Sequence, residues 1–178
     1  MTEASPEFVE IVIESSLGAI ELTLDPHAAP ITTTNFLAYV DRGLYDAGIF
    51  HRTVTLANQP NDPVLIEVIQ GGFRPDRQGE AGAPIPLERT SDTGLRHVDG
   101  AISMARRTPD SAVSDFFICI GDQAELDFGG RRNPDGQGFA AFGRVTAGRE
   151  VVRAIQSSPH EGQRLVPPVS IRRIRRKA

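Results

Sequence analysis

A chain of 178 residues, 39% hydrophobic and 24% charged, can bury one core and is too apolar to be a disordered segment. Its formal net charge of -4 argues against a general nucleic-acid binder, which needs an excess of Lys and Arg to displace counterions. The single cysteine permits no internal disulfide, and no run approaches the roughly 20 apolar residues that span a bilayer.

Met1 to Pro6 is short, polar and acidic, without the basic and apolar regions of a signal peptide, so a cytoplasmic protein with no membrane partner is expected. Phe8 to Glu14 alternates Val9, Ile11 and Ile13 with Glu10, Val12 and Glu14, and Ala19 to Leu24 alternates Ile20, Leu22 and Leu24 with Glu21 and Thr23. Joined through Ser15-Ser16-Leu17-Gly18, they predict an antiparallel hairpin with one buried face. Pro30 starts a helix whose Phe36, Leu37 and Val40 share a face, and Gly43 suits the position just past its end. Phe50–Val54 and Val64–Gln70 read as strands, separated by the polar excursion Thr55–Pro63. Phe73 to Asp99, rich in Gly, Pro and charge, reads as surface loops with at most one short strand.

Further strands are predicted over Ala101–Met104, Phe116–Ile120, Phe139–Val145 and Val169–Ile174, with a turn-rich excursion from Phe128 to Gly138. Gly148 precedes a second helix carrying Val151, Val152 and Ile155. Cys119 lies in an apolar run with nothing basic beside it, as a buried structural thiol does. Seven or eight short strands and two helices, without βαβ alternation, favour an antiparallel barrel or sandwich. No apolar stripe is left unburied in this reading, and a monomer is expected.

Few residues offer chemistry. The four histidines lack ligand spacing for a metal. Ser103, His97 and Asp99 supply the residue types of a hydrolase triad, but neighbouring strand residues point to opposite faces, which disfavours it. The C-terminal Arg172, Arg173, Arg175 and Arg176 could hold phosphate, or could form the solvated end of a closing strand. More suggestive are Arg52 and Gln70 on two neighbouring strands, together with Phe116-Phe117, one of which must face away from the core. A shallow apolar pocket with a guanidinium and an amide suits a small apolar group beside a carbonyl or nitrogen that needs a donor. On these residues alone a buried structural Arg52 is an equal alternative.

Six ordered motifs decide the matter. Phe50-His51-Arg52, Gln70-Gly71-Gly72, Gly100-Ala101-Ile102-Ser103-Met104-Ala105, Phe116-Phe117-Ile118-Cys119, Leu126-Asp127 and Phe142-Gly143-Arg144-Val145 follow one another as in cyclophilins. The chain resembles that family over nearly its whole length. The resemblance implies a closed eight-stranded antiparallel β-barrel capped by two α-helices, in a single domain over residues 1–178 with loop insertions near 55–63 and 128–138. It implies peptidyl-prolyl cis-trans isomerisation without cofactor or metal, acting on proline-containing segments of client proteins.

By the same resemblance Arg52 donates to the prolyl nitrogen and Gln70 holds the substrate backbone. Phe117, Leu126 and Val68 line the proline pocket, and Ala105 and Arg106 offer backbone groups to the residue before proline. Asp115 stands where a Gln is usual and Phe139 where a pocket His is usual. The usual Trp is absent, with Glu125 near its place, so weak cyclosporin binding is expected. Counting back from Gln70 puts Glu67 where the family prefers Phe in the pocket floor. Either the loop realigns or another side chain, such as Ile66, fills that place. If Glu67 spoils the floor, a proline-peptide binding module with little turnover is the alternative.

Overall fold

The first hairpin forms as its alternation predicts. Strands β1 (Val9–Ser15) and β2 (Gly18–Leu24) pair with Ile11 opposite Leu22 and Ile13 opposite Ile20, all four fully buried. This computed structural model describes residues 7–177, so the reading of Met1–Pro6 lies outside the described residues. Helix α1 (Pro30–Asp41) begins with proline at its first turn and ends before Gly43, whose φ of +67° only glycine adopts without strain.

Strands β3 (Gly48–Val54) and β4 (Val68–Gly72) follow, then a single helical turn α2 (Thr90–Thr93), β5 (Ala101–Met104), β6 (Phe116–Cys119) and β7 (Ala141–Ala147). Helix α3 (Arg149–Gln156), the two-residue β8 (His160–Glu161) and the long β9 (Arg164–Arg176) complete the chain. The strand order is β1-β2-β7-β5-β6-β4-β3-β9, every pair antiparallel, and β9 returns to pair with β1. Eight strands therefore close a barrel, and β8 is a small hairpin arm on β9. Closure leaves no edge among those eight for another chain to extend.

The barrel interior is aromatic. Phe36 of α1 meets Phe116 edge-on at 5.8 Å between ring centroids and Phe142 at 5.2 Å, and Tyr45 packs on Phe73 at 5.0 Å. Val151, Val152 and Ile155 of α3 join the same core. The buried hydroxyl of Tyr45 donates to the Ser114 carbonyl at 2.7 Å.

Three sequence expectations shift. The predicted strand Val64–Gln70 is regular only from Val68, because Asp62 and Gln59 capture the backbone of Val64 and Ile66 with their side chains. The last strand begins at Arg164 rather than Val169, since Pro167 and Pro168 sit where no ladder N–H is needed. Within the predicted loops, Ile85 forms one antiparallel bridge to Ala112.

Three of the four C-terminal arginines are matched by acids. Arg173 and Arg175 both bond Glu14, at 3.0 and 2.8 Å, and hold its carboxyl down at about 2. Arg176 makes a two-pronged pair with Asp41. That segment is the solvated end of a closing strand. No helix among the described residues is long and apolar enough to cross a membrane.

Candidate active site

The outer face of the same wall carries a second, smaller apolar cluster. In β6, Phe116 and Ile118 enter the barrel, so Phe117 and Cys119 point out. In β4, Ile69 points in while Val68 and Gln70 point out. Val68 and Phe117 join Val54, Ile66 and Leu126 in the outer cluster, with Ala105 and Phe139 packed against it. Cys119 belongs to this cluster, and burial pushes its thiol well above the usual range, with Asp127 and Asp99 adding to the effect.

Strict alternation along β3 would send Arg52 into the barrel beside Phe50. A register shift between Phe50 and Arg52 prevents this: Phe50 pairs with Gly71 and Arg52 with Gln70, so His51 is the extra residue of a bulge. His51 and Arg52 therefore both lie on the outer face, with Phe50 kept inside. Gly72 lacks a Cβ for a steric reason, because the carboxylate of Asp115 occupies that space.

Arg52 is held by two amides. Its Nε and Nη2 donate to Gln163 Oε1 at 3.0 and 2.7 Å, and its Nη1 donates to Gln70 Oε1 at 3.0 Å. Three of five N–H donors are thus fixed, which leaves two for a ligand. Both acceptors are neutral, so among the described residues no carboxylate quenches the guanidinium. Burial, aided by the positive charge of Arg132, pushes the Arg52 pKa down from its usual value. A guanidinium remains charged at physiological pH nonetheless. Gln70 in turn donates from Nε2 to Asp115 Oδ2 at 3.2 Å, and His51 Nε2 meets the same oxygen at 3.0 Å. The cation on one side and the anion on the other fix which way the Gln70 amide points.

Beside this array lies a cavity of about 160 Å³, lined by Arg52, Ile66, Val68, Gln70, Ala105, Arg106, Phe117, Leu126, Arg132 and Phe139. Eight of the nine residues singled out from sequence line it. The ninth, Asp115, lines an adjoining groove that shares Gln70, Ala105 and Arg106. Arg106 is occupied at its side chain: it bonds the Gly138 carbonyl and both oxygens of Asp135, and its guanidinium stacks 4.7 Å over the Phe139 ring. Glu67 is not in the floor. It accepts from Gln156 Nε2 at 3.2 Å, and Ile66, 6% exposed, takes the apolar position instead.

Phe117 is backed by a buried polar chain. His97 stacks on it with centroids 5.9 Å apart, and Phe139 meets it edge-on at 5.5 Å. The His97 Nδ1–H donates to Asp127 at 2.7 Å, and Nε2 accepts from the Ser103 hydroxyl at 2.9 Å. Burial opposes ionisation of Asp127, but the His97 ring and backbone N–H outweigh it and hold the carboxyl low. A Ser-His-Asp chain therefore exists, with Asp127 rather than Asp99 as its acid. Ser103 is fully buried and its proton is spent on His97, so the chain orients Phe117 and exposes no nucleophile.

Sequence reading missed Gln163 and Arg132. Gln163 lies 111 residues from Arg52 and reaches it through the β8–β9 turn. Arg132 comes from the second excursion and bonds Gln59 and Asp62 of the first and Val64 just after it. No local pattern marks either residue, because each acts only across the barrel wall.

Comparison with known proteins places the chain in a family. The family model for cyclophilin type peptidyl-prolyl cis-trans isomerase/CLD matches residues 8–176. Peptidyl-prolyl cis-trans isomerase A of Dickeya dadantii is 40% identical over 161 residues, covering 87% of this chain and 77% of that protein. Peptidyl-prolyl cis-trans isomerase cyp18 of Streptomyces antibioticus is 40% identical over 147 residues, covering 82% of each. A crystal structure of a Cryptosporidium parvum cyclophilin type isomerase shares the fold with a TM-score of 0.76, at 22% identity, covering 97% of this chain and 99% of that one. A second crystal structure under that name was determined in the presence of the dipeptide Ala-Pro. The barrel, the outer pocket and the relatives together make this chain a member of the cyclophilin-type peptidyl-prolyl cis-trans isomerases, enzymes that rotate the peptide bond preceding proline.

Proposed function

We propose that Arg52 carries the isomerisation by donating to the prolyl nitrogen as the X-Pro bond twists. The planar amide resists rotation with a barrier of ~18–20 kcal/mol, because its nitrogen lone pair is shared with the carbonyl. At the twisted midpoint that lone pair is localised and can accept a hydrogen bond that neither planar isomer can. A donor fixed at that point binds the transition state better than either ground state, and this difference is catalysis. No bond to hydrogen breaks, so no acid-base pair is required.

The observation that carries this reading is the pair of neutral amides on Arg52. Gln163 and Gln70 immobilise a full positive charge and still leave N–H donors beside an apolar cavity. Phe117, Leu126, Val68, Ile66 and Phe139 then surround the proline ring. Gln70 holds the substrate backbone, and Ala105 and Arg106 offer backbone groups to the residue before proline. Action as a cytoplasmic, monomeric folding helper on flexible Pro-containing segments, and weak cyclosporin binding, belong to the same proposal. The binding-module alternative rested on Glu67 spoiling the floor, and with Ile66 in that position it loses its motive.

Exchange NMR on an Ala-Pro peptide with substoichiometric protein tests the proposal. Enzyme-dependent cis-trans cross-peaks are expected. Arg52→Ala should lower the catalysed rate about 10²–10³-fold, the effect of deleting one preorganised donor. Undiminished exchange in the variant would refute the role of Arg52, and peptide shifts without exchange would favour a binding module.

A further inference from the structure

The two excursions meet at Arg132, and its guanidinium is used asymmetrically. Nη1 alone makes the contacts that join them, donating to Gln59 Oε1 at 2.7 Å and to the Val64 carbonyl at 2.6 Å, and lying 2.8 Å from Asp62 Oδ2. Nε and Nη2 have no partner among the described residues. They form the side-on fork of a guanidinium, the edge that matches a carboxylate with two parallel hydrogen bonds. The side chain is 12% exposed and lines the active cavity. The fork is not sealed in, because the buried side-chain polar atom lacking a partner among the described residues is Thr32 Oγ1.

Charge at the cavity is one-sided. Arg52, Arg106 and Arg132 line it, and among the described residues no carboxylate does. Arg106 is cancelled by Asp135, whereas Arg52 has only amide partners and feels the positive field of Arg132. Position matters too. The adjoining groove shares Gln70, Ala105 and Arg106 with the cavity but touches none of Ile66, Val68, Leu126 or Arg132. Arg132 therefore stands at the end of the cavity away from Ala105.

We propose that Arg132 is a specificity-determining residue, selecting peptides that carry Asp or Glu immediately after the proline. This rests on the Arg52 reading above, in which Ala105 takes the residue before proline, so that the opposite end takes the residue after it. The acidic side chain bonds the Nε–Nη2 fork, while Nη1 stays with Asp62 and Gln59. The excursions thus build the site that reads the following residue.

The test compares kcat/KM on amidated Ala-Ala-Pro-Xaa-Ala peptides, with Xaa Glu, Gln or Lys, measured by exchange NMR on the full chain. The wild type should prefer Glu over Gln about fivefold, as for a half-screened ion pair, and disfavour Lys. The preference should shrink when salt is raised to about 1 M, where the screening length falls to about 3 Å. In Arg132→Gln the Glu-to-Gln ratio should fall to about one, while Arg132→Lys should retain part of it. The ratio is an internal readout that the fraction of folded protein does not move. Asp62→Asn offers a second route, since removing the competing carboxylate should raise the ratio. Equal rates on Glu and Gln peptides in the wild type, or an unchanged ratio in Arg132→Gln or Asp62→Asn, would overturn the proposal. Failure of all three peptides to exchange would instead strike the isomerase site itself.

Discussion

The two faces of the β3–β4–β6 wall are made by the same strands and behave as different materials. Inward, Phe50, Ile69, Phe116 and Ile118 enter a core that runs across all eight barrel strands and both longer helices. Outward, Val54, Val68, Phe117 and Cys119 belong to a cluster of seven buried residues that opens on a cavity. The inner face needs only apolar side chains of the right size. The outer face needs a bulge, a polar chain behind Phe117 and two amides on Arg52. Stability is therefore concentrated inside, and chemistry outside, within one residue of each other along the chain.

Adjacent substitutions should break this division most visibly. Phe116→Ala removes a fully buried ring from the aromatic core and should cost about 3–5 kcal/mol in urea denaturation, with activity per folded molecule preserved. Phe117→Ala should cost only about 2 kcal/mol, because one side of its ring already faces the cavity, and should abolish most turnover. Equal stability losses with equal activity would erase the distinction between the faces.

A smaller effect separates positioning from packing on the outer face. Gln163→Leu frees two of the three hydrogen bonds that orient Arg52, and kcat should fall about tenfold to a hundredfold with little change in KM. Gln163→Glu keeps the geometry but sets a carboxylate against the guanidinium, and should be at least as damaging. Recovery of activity in Gln163→Glu would mean that Gln163 only packs.

The smallest expected effect lies far from the site, on the barrel seam. Glu14 is held down at about 2 by Arg173 first and Arg175 second. Its folded pKa lies below its ordinary value of 4.5, so the stability it contributes is present above that value and is lost as pH falls towards 2. A thermal melt series should show an acid-side decline over this window that is shallower in Glu14→Gln and weaker in high salt. Superimposable acid limbs would mean that the Arg173–Glu14–Arg175 array closes the barrel without stabilising it.

Much of the fold was legible because it depends on local pattern. The alternation of Ile11, Ile13, Ile20 and Leu22, the Pro30 start of α1 and the opposed faces of Phe116 and Phe117 follow from period and propensity alone. The pocket residues were legible only through ordered motifs, since period two places Arg52 inside the barrel. The bulge at His51 that turns Arg52 outward has no signature in the three residues that form it. Nor does the identity of the pocket floor: counting back from Gln70 gives Glu67, but Gln59 and Asp62 bend the loop so that Ile66 arrives there.

The sequence by itself determined an antiparallel barrel or sandwich and the residue types of its core, and only the resemblance of its ordered motifs to cyclophilins pointed to a closed barrel with a charged donor beside an apolar pocket. Tertiary structure decided what holds that donor and what it faces. Gln163 reaches Arg52 from 111 residues away, and Arg132 reaches Gln59 from 73. Such pairings cost nothing in local propensity and leave no periodic trace. They are selected only when barrel closure brings the two segments within hydrogen-bonding distance.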